Sequence, residues 1–521
     1  MSFSSLPRFV LIYLCSYFDI KSFAKFSLTN KKNYNNYSHI RDIFKIMKLH
    51  FPKNIRDQPF SINIEELQSE TFNILNFACQ NQNLSIEMLK FLIENKSDLN
   101  MYSNHKRIAL HYACSNENVT TEIVKYLIEN KSNLNQRDNN QNTPFLFATM
   151  NNKISTEIIQ LLVETKIDVG SVKNRDKNTP LHFVCKNKNI SIELIKYLVE
   201  KKSEVNSKAR FGTFPFHNAC RNKNVTIEIL KYFVENNCNL NAKGRYEKTP
   251  LHLACKNRNI SLEGIKLLVE NKSNIFLKDR NEYLALHLAC QNKNISLEMI
   301  QYLSQNGCLI NTITKENNSP LHMISQNPNV TLEMLKYFFE NKTDFNLKAG
   351  QFENTSLHNL CLNKSISIEM IKFLVEGKSD LKIVDRNQDT PLHLACLNKN
   401  ISVDILKYLV EKKSDLNQQN QNQDTPLHFA CRNKNFSFEI INFLVEGKSG
   451  LNVQGKRQET PLHVACSNLS SSIEAIKFLI EKKSSLDLRD SENMISLEHL
   501  LKNKTLKEKY VENQSLKIFE K

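Results

Sequence analysis

The chain has 521 residues, 40% of them hydrophobic, so it can bury a large core and does not have the composition of a disordered protein. Its formal net charge is +16 at pH 7, which admits a nucleic acid or an acidic protein as partner. Because Lys recurs at regular intervals along the chain, a solvated basic surface explains this charge better. No apolar run approaches the roughly 18 residues that a membrane-spanning helix needs.

The N-terminal segment, residues 1–50, differs from everything after it. It has a Leu-Pro start, an apolar helix, an aromatic-Asp break, and a second helix that ends in Thr29-Asn30-Lys31. These features resemble an F-box, a helical motif that docks on the linker subunit of cullin-RING ubiquitin ligases. The resemblance implies that docking uses Leu6, Pro7, Leu11, Leu14 and Phe18. Residues 51–67 are predicted to form a linker or an irregular first repeat.

Residues 68–521 are dominated by a period of 35 residues. Cys recurs at this interval from Cys79 to Cys466, with Thr149 and Ser325 in the two gaps, and ten of the 14 His residues keep the same interval. One repeat of this size cannot bury its own apolar faces, so the repeats must stack into a solenoid. We count about 12 repeats and a degenerate C-terminal cap around Ile495.

Each repeat is predicted to contain two helices. The first begins with Thr-Pro, as at Thr390-Pro391. Thr suits the N-cap, and Pro suits the next position, where its missing N–H has no partner to lose. The second helix is exemplified by residues 191–200, where Ile192, Ile195, Leu198 and Val199 define one apolar face. Polar stretches such as 417–424 are predicted to join the repeats as short hairpins.

The phrase Thr-Pro-Leu-His-Leu-Ala-Cys, at 249–255 and 390–396, resembles the ankyrin signature. The resemblance implies an all-α ankyrin-repeat solenoid that binds proteins, with the signature His bonded to the backbone of the adjoining hairpin. Two features depart from the family. The repeat exceeds the usual length of about 33 residues through an Asn-Lys-Asn segment between its helices. Lys96, Lys131 and Lys272 stand where Gly usually closes the second helix, which predicts a slightly altered turn.

The His and Cys columns could suggest zinc or disulfide chemistry. His182 and Cys185 share a helix face, but equivalent residues of stacked helices lie about 8–10 Å apart, too far for one zinc ion or one disulfide. We therefore predict no metal or cofactor, and reduced core thiols in an intracellular compartment, the cytoplasm or the nucleus. Sequons such as Asn189-Ile190-Ser191 are interpreted as helix caps. No phosphate-binding loop or isolated nucleophile is present, so the chain is not predicted to be an enzyme.

A candidate target-binding site lies three residues before the N-cap Thr. Most repeats carry a small polar residue there, but three carry an aromatic residue, and two of the three are preceded by Arg. Tyr and Arg often dominate binding energies. The predicted target-binding residues are Arg210, Phe211, Arg245, Tyr246 and Phe352. The alternative is that these tips fold back onto neighbouring helices or reflect sequence drift, and Gly212 suggests a locally different turn.

The function predicted from the sequence is that of a monomeric adaptor between proteins. The repeats would hold a target protein, and the F-box-like segment would recruit a ubiquitin-ligase core. The alternative is a scaffold without any ligase link, in which the N-terminal segment only caps the solenoid. Nucleic-acid binding is not predicted, because the sequence lacks a basic stripe interleaved with stacking aromatics.

Overall fold

The computed structural model describes residues 74–82, 84–94, 97–165, 167–435 and 437–503. The F-box-like segment 1–50 and the segment 51–67 lie outside the described residues, and with them Leu6, Pro7, Leu11, Leu14 and Phe18. The chain divides into two compact units, the first ending at Arg245 and the second beginning at Tyr246.

The described residues form 25 α-helices, in twelve pairs followed by a single helix. The first unit contains α1 (Ile74–Gln80), α2 (Ile86–Glu94), α3 (Ala109–Ser115), α4 (Thr121–Glu129), α5 (Pro144–Met150), α6 (Thr156–Glu164), α7 (Pro180–Lys186), α8 (Ile192–Glu200), α9 (Pro215–Arg221) and α10 (Ile227–Glu235). The second unit contains α11 (Pro250–Lys256), α12 (Leu262–Glu270), α13 (Ala285–Cys290), α14 (Leu297–Gln305), α15 (Pro320–Gln326), α16 (Leu332–Glu340), α17 (Ser356–Leu362), α18 (Ile368–Glu376), α19 (Pro391–Leu397), α20 (Val403–Glu411), α21 (Pro426–Arg432), α22 (Phe438–Glu446), α23 (Pro461–Ser467), α24 (Ile473–Glu481) and α25 (Ser496–Lys502).

Short elements complete the described structure. Two 3-10 turns lie at Arg245–Glu247 and Lys456–Gln458. The only extended pairing among the described residues is two isolated antiparallel bridges, Ala349 with Asn354 and Arg489 with Ile495. Within each unit, first helices pack on first helices of adjacent repeats, and second helices pack on second helices. The predicted all-helical ankyrin-repeat solenoid is thereby confirmed for the part of the chain that is described.

The first helix of ten of the twelve described repeats is held by the signature His, whereas Asn76 and Leu146 occupy its position in α1 and α5. His393 Nε2 lies 3.2 Å from the carbonyl oxygen of Asp424 in the next repeat. A carbonyl only accepts, so Nε2 carries the hydrogen, and Nδ1 is free to accept from the Thr390 backbone N–H at 3.1 Å. This confirms the His-to-hairpin bond that the ankyrin resemblance implied. The equivalent carbonyl is bonded by His111, His182, His252, His358, His428 and His463. A carbonyl six residues earlier in the adjoining hairpin is bonded by His217, His287 and His322.

The second helix of each repeat follows a Ser or Thr, and in most repeats its hydroxyl caps the helix. In α8, Ser191 Oγ accepts from the Leu194 N–H at 3.1 Å, so the predicted cap at this sequon is confirmed. The buried face differs from the predicted one. Leu194, Ile195 and Leu198 are buried, whereas Ile192 and Val199 are only half-buried. The buried face of α8 differs from the predicted one because α8 packs on two helices, the first helix of its own repeat, α7, and the neighbouring second helix, α10.

The Asn-Lys-Asn segment between the two helices forms a ladder of amide bonds. Asn398 Nδ2 donates to the carbonyl oxygens of Cys361 and Asn363 in the preceding repeat, at 2.8 Å each. Asn400 Nδ2 donates to the Lys364 carbonyl at 2.9 Å, nearer the surface. The Asn398 bonds (the buried rung of this ladder) and the Asn400 bond (the exposed rung) both join neighbouring repeats. The Asn-Lys-Asn segment therefore stabilises the stacking of one repeat on the next. The buried rung recurs at Asn116, Asn151, Asn222, Asn292, Asn327, Asn363, Asn433 and Asn468.

The turn that closes the second helix keeps its regular form. Lys131 has a φ of 65°. Its N–H donates to the Ile128 carbonyl at 2.9 Å, and the Ser132 N–H donates to the Leu127 carbonyl at 3.1 Å. These two bonds define a Schellman motif with Lys in the position that favours Gly. The predicted alteration of this turn is therefore wrong, because Lys adopts the left-handed conformation itself; Lys96 lies outside the described residues.

The cysteine column lies in the core, as predicted. Cys255 has no exposed surface, and burial raises the pKa of its thiol. The two polar residues in this column are accommodated by local bonds: the Thr149 hydroxyl donates to the Leu146 carbonyl and the Ser325 hydroxyl to the Leu321 carbonyl, each at 2.8 Å. No helix in the described ranges is both long and apolar enough to span a membrane.

Candidate protein-binding surface

The candidate surface is built on the fingers, the turns between one repeat's second helix and the next repeat's first helix. In the finger around Phe211, the Ala209 N–H donates to the Thr213 carbonyl at 2.8 Å, and the Gly212 N–H donates to the Ala209 carbonyl at 2.9 Å. The Arg210 N–H reaches the Asp176 carbonyl of the preceding finger at 2.7 Å. Backbone bonds thus fix both the turn and its place beside the neighbouring finger.

Gly212 does not create a different turn. Its φ is 75°, and the equivalent Lys177 and Gln388 have φ values of 60° and 61°. The predicted local difference is therefore wrong: left-handed backbone is a general feature of this finger position, and Gly satisfies it with the least strain.

Phe211 is the centre of an exposed aromatic and basic cluster in the first unit. Its side chain is 61% exposed, which excludes the alternative that this tip folds back onto a helix. The guanidinium carbons of Arg210 and Arg245 each lie 5.9 Å from the centroid of the Phe211 ring. Arg210 Nη1 also lies 3.8 Å from Asp176 Oδ1. Three of the five predicted residues are therefore in one place, held by cation–π contacts worth about 0.5–1 kcal/mol when exposed.

Three arginines lie at or near this cluster. Arg221, at the end of α9, has its pKa lowered first by burial and then by the charge of Arg245. Arg210, Arg221 and Arg245 therefore give the surroundings of Phe211 a basic character. An acidic rim on a partner would complement this surface.

The remaining two predicted residues, Tyr246 and Phe352, lie in the second unit. Tyr246 is 54% exposed and has a φ of 58°, a strained conformation for an aromatic residue. Phe352 is 55% exposed and lies three fingers further along. Their carbonyl oxygens accept from the N–H groups of Arg280 and Arg386, at 2.9 and 2.7 Å. Both rings are exposed as predicted, and Phe352 belongs to a different finger from Tyr246.

A second feature, which the sequence analysis missed, is a cavity of about 440 Å³ in the second unit. It is lined by Asn387, Asp389, Asn420, Asn422, Asp424, Phe429, Arg432, Lys456, Arg457 and Glu459. Three of its acidic residues occupy the position just before the N-cap Thr in consecutive repeats. That run of acids in one column is the signal from which the sequence could have identified it.

Beside this cavity, Glu459, Asp490 and His499 place three ligand-type atoms within 4.8 Å of one another. His499 Nε2 lies 2.7 Å from Asp490 Oδ2, and Asp490 Oδ1 accepts from the Met494 N–H at 2.9 Å. Burial acts to raise the pKa of Asp490, but these bonds outweigh it and the pKa is lowered. His499 and Asp490 are hydrogen-bonded to each other, and the prediction of no metal stays a prediction.

The family model described as "Ankyrin repeats (3 copies)" matches eight overlapping stretches: residues 41–138, 75–173, 110–209, 155–244, 181–279, 261–349, 321–420 and 399–490. A comparison with curated protein sequences gave no significant match. Among solved structures, the crystal structure of the human ASB11 ankyrin repeat domain is similar at 21% identity and a TM-score of 0.38, covering 46% of this chain and 99% of that one. Because the family model matches most of its length, the chain belongs to the ankyrin-repeat family.

Proposed function

We propose that this ankyrin-repeat protein is an adaptor that holds a target protein on its fingers and recruits a ubiquitin-ligase core through residues 1–50. Ankyrin repeats mediate protein–protein interaction and are typically not enzymes. The observation that supports target binding most directly is the exposed Phe211 ring between two guanidinium groups.

An exposed aromatic fingertip suits binding because it has little structural use in the free protein. The Phe211 ring leaves most of its surface in water, and covering a Phe side chain completely is worth about 1.5–3 kcal/mol. Its two Arg neighbours are already positioned, so little conformational entropy is lost when a partner binds. The proposed target-binding residues are Arg210, Phe211, Arg245, Tyr246 and Phe352.

The ligase half of the proposal is supported by the F-box-like sequence. Leu6, Pro7, Leu11, Leu14 and Phe18 would supply the apolar anchors of an interface with the linker subunit. The proposed location, cytoplasm or nucleus, is supported by the twelve cysteines of the described residues, all of them buried free thiols.

Affinity purification of the tagged full-length chain from its native cell tests both parts of the proposal, target binding and ligase recruitment. Phe211→Ala combined with Tyr246→Ala should weaken target binding more than tenfold, about 1.4 kcal/mol per factor of ten, and leave the linker subunit bound. Leu6→Ala combined with Pro7→Ala should lose the linker subunit and keep the target. Asn140→Ala combined with Asn281→Ala changes two equivalent polar fingertips and serves as the matched control.

Different outcomes refute different halves. A wild-type chain that never co-purifies with a linker subunit would leave a scaffold whose N-terminal segment only caps the repeats. Unchanged target affinity in the fingertip variant, with an unchanged melting temperature, would exclude the fingers as the binding site.

A further inference from the structure

The cavity of the second unit is lined by carboxylates from successive repeats. Asp389, Asp424 and Glu459 each precede an N-cap Thr, and their carbonyl oxygens accept from the preceding signature histidines. These bonds fix the backbone at each position, so the three side chains meet at one cavity. Its volume of about 440 Å³ is at the small end of the range for ligand sites, about 300–1,000 Å³.

The three carboxylates differ in how many hydrogen bonds and ion pairs they make. Asp424 is paired, because Oδ2 lies 3.0 Å from Arg432 Nη1 and Oδ1 accepts from the Lys456 N–H at 2.9 Å. Asp389 is 5% exposed, and its Oδ1 accepts from Asn420 Nδ2 at 2.7 Å. Among the described residues, no donor lies within hydrogen-bond distance of Asp389 Oδ2 or of the Glu459 carboxylate. Asp389 Oδ2 and the Glu459 carboxylate therefore have no hydrogen-bonded cation, although the charge of Arg432 acts on both carboxylates.

These carboxylates are unusual for their position in the repeat. The other repeats carry Arg107, Asn142, Asn178, Thr213, Lys248, Tyr283, Asn318, Asn354 and Met494 in the same column. The fold thus does not require an acid there, and a chain with a net charge of +16 has no general excess of acids. Burial raises the pKa of Asp389 to about 6, and it also raises the pKa of Glu459 in spite of the charges of Arg432 and Arg457.

The rim of the cavity has the opposite charge. The side chains of Lys456 and Arg457 are exposed, whereas Asp389 and Asp424 are buried. A ligand must therefore bring a cation to the carboxylates without adding further positive charge at the rim. Guanidinium suits this task, since it offers five donors and is less strongly hydrated than ammonium.

We propose that this cavity binds one arginine side chain of a partner protein, in a segment where acidic residues flank that arginine. The guanidinium would donate to Asp389 Oδ2 and to the Glu459 carboxylate, and the flanking acids would face Lys456 and Arg457. This site is separate from the fingertip residues proposed above.

The test uses the full-length chain and two tripeptides in ligand-observed NMR titrations. The probes are N-acetyl-Glu-Arg-Glu-amide and the same peptide with citrulline, which keeps the shape of arginine but carries no charge. We expect the arginine peptide to bind at least tenfold more tightly than the citrulline peptide. Asp389→Asn combined with Glu459→Gln should remove this preference. The variant should stay folded, because Asn already occupies the column at Asn142, Asn178 and Asn318.

Two controls isolate the cavity. Asp404→Asn combined with Glu411→Gln makes the same charge change on exposed residues of α20 and should leave arginine-peptide binding unchanged. Phe211→Ala should also leave it unchanged, which separates this site from the fingertip surface. Equal binding of both peptides, equal binding by the cavity variant, or no binding of the arginine peptide at about 10 mM would each overturn the proposal.

Discussion

At the scale of single residues, the most informative feature is the Lys that closes most second helices with its backbone in the left-handed conformation. Lys413 has a φ of 72°, and the same position is left-handed at Lys202, Lys272, Lys342, Lys378, Lys448 and Lys483. Asn237 and Gly307 replace Lys at this position. A Cβ at Gly307 would lie 2.9 Å from Cζ of Phe276. The equivalent of Phe276 is elsewhere often Asn, as at Asn417, which bonds to the Lys448 carbonyl. Gly307 is thus explained by its aromatic neighbour.

Lys413→Gly should raise the free energy of unfolding by about 1 kcal/mol. The left-handed conformation costs a side chain about 1–2 kcal/mol, and the greater flexibility of Gly in the unfolded chain offsets part of this gain. Urea denaturation of both proteins measures the difference. Gly307→Ala is the comparison and should lower the unfolding free energy, because the Phe276 ring must move. A destabilised Lys413→Gly variant would show that the lysine side chain contributes more than its backbone costs.

At the scale of elements, the Asn ladder explains why the repeat exceeds the usual ankyrin length. The Asn-Lys-Asn segment, which contains the extra length, carries amide side chains that donate to carbonyl groups of the preceding repeat. The high Asn content, which sequence composition alone presents as a bias, therefore has a structural role. The sequons between the helices have the same explanation, since Asn189 Nδ2 donates to the Asn152 carbonyl at 2.7 Å and Ser191 caps α8.

Asn398→Ala should destabilise the protein by about 2 kcal/mol or more. It removes two buried bonds and leaves the carbonyls of Cys361 and Asn363 without their donor, and each unsatisfied buried group costs about 1–3 kcal/mol. The matched control is Asn400→Ala, whose bond is exposed, so that water can replace the amide. We expect a loss there of about 0.5–1 kcal/mol. If urea denaturation showed that both variants lose the same free energy of unfolding, the buried bonds of Asn398 would not be more important than the exposed bond of Asn400.

At the scale of the whole molecule, the repeated His makes stability depend on pH. Burial lowers the pKa to about 4 at His111, His182, His287, His358 and His393. Their unfolded pKa is about 6.5, so the unfolded chain binds more protons between these two values. Their contribution is complete above pH 6.5 and is lost as the pH falls towards 4. Asp389 acts in the opposite direction, because its folded pKa of about 6 exceeds that of an unfolded Asp.

The unfolding midpoint in urea should therefore fall clearly between pH 7 and pH 5. Each of these histidines contributes at most about 3 kcal/mol over its full range, and the five together outweigh Asp385, Asp389 and Glu459, the carboxyl groups whose pKa is raised by burial. His393→Gln should lower the midpoint at pH 7 and reduce its change with pH. A midpoint that is constant over this interval would contradict neutral, buried histidines.

The regular part of the fold was predictable from the sequence because its causes are local. A Thr-Pro start, a Ser cap and a helical apolar period act within a few residues of one another, and the 35-residue period then requires stacking. Exposure at Phe211, Tyr246 and Phe352 was also predictable, since each departs from a polar column. The F-box-like segment remains a prediction from its sequence alone.

Features that join different repeats were decided only by tertiary structure. Asn398 contacts carbonyls 37 and 35 residues earlier in the chain, and no short-range pattern specifies those acceptors. The cavity likewise depends on stacking, because Asp389, Asp424 and Glu459 are separate polar residues in the sequence and come together at one cavity only when their repeats pack together. Burial and charge compensation depend on surroundings in space, so the sequence by itself determined the repeats and their fingers, whereas packing between repeats determined the cavity.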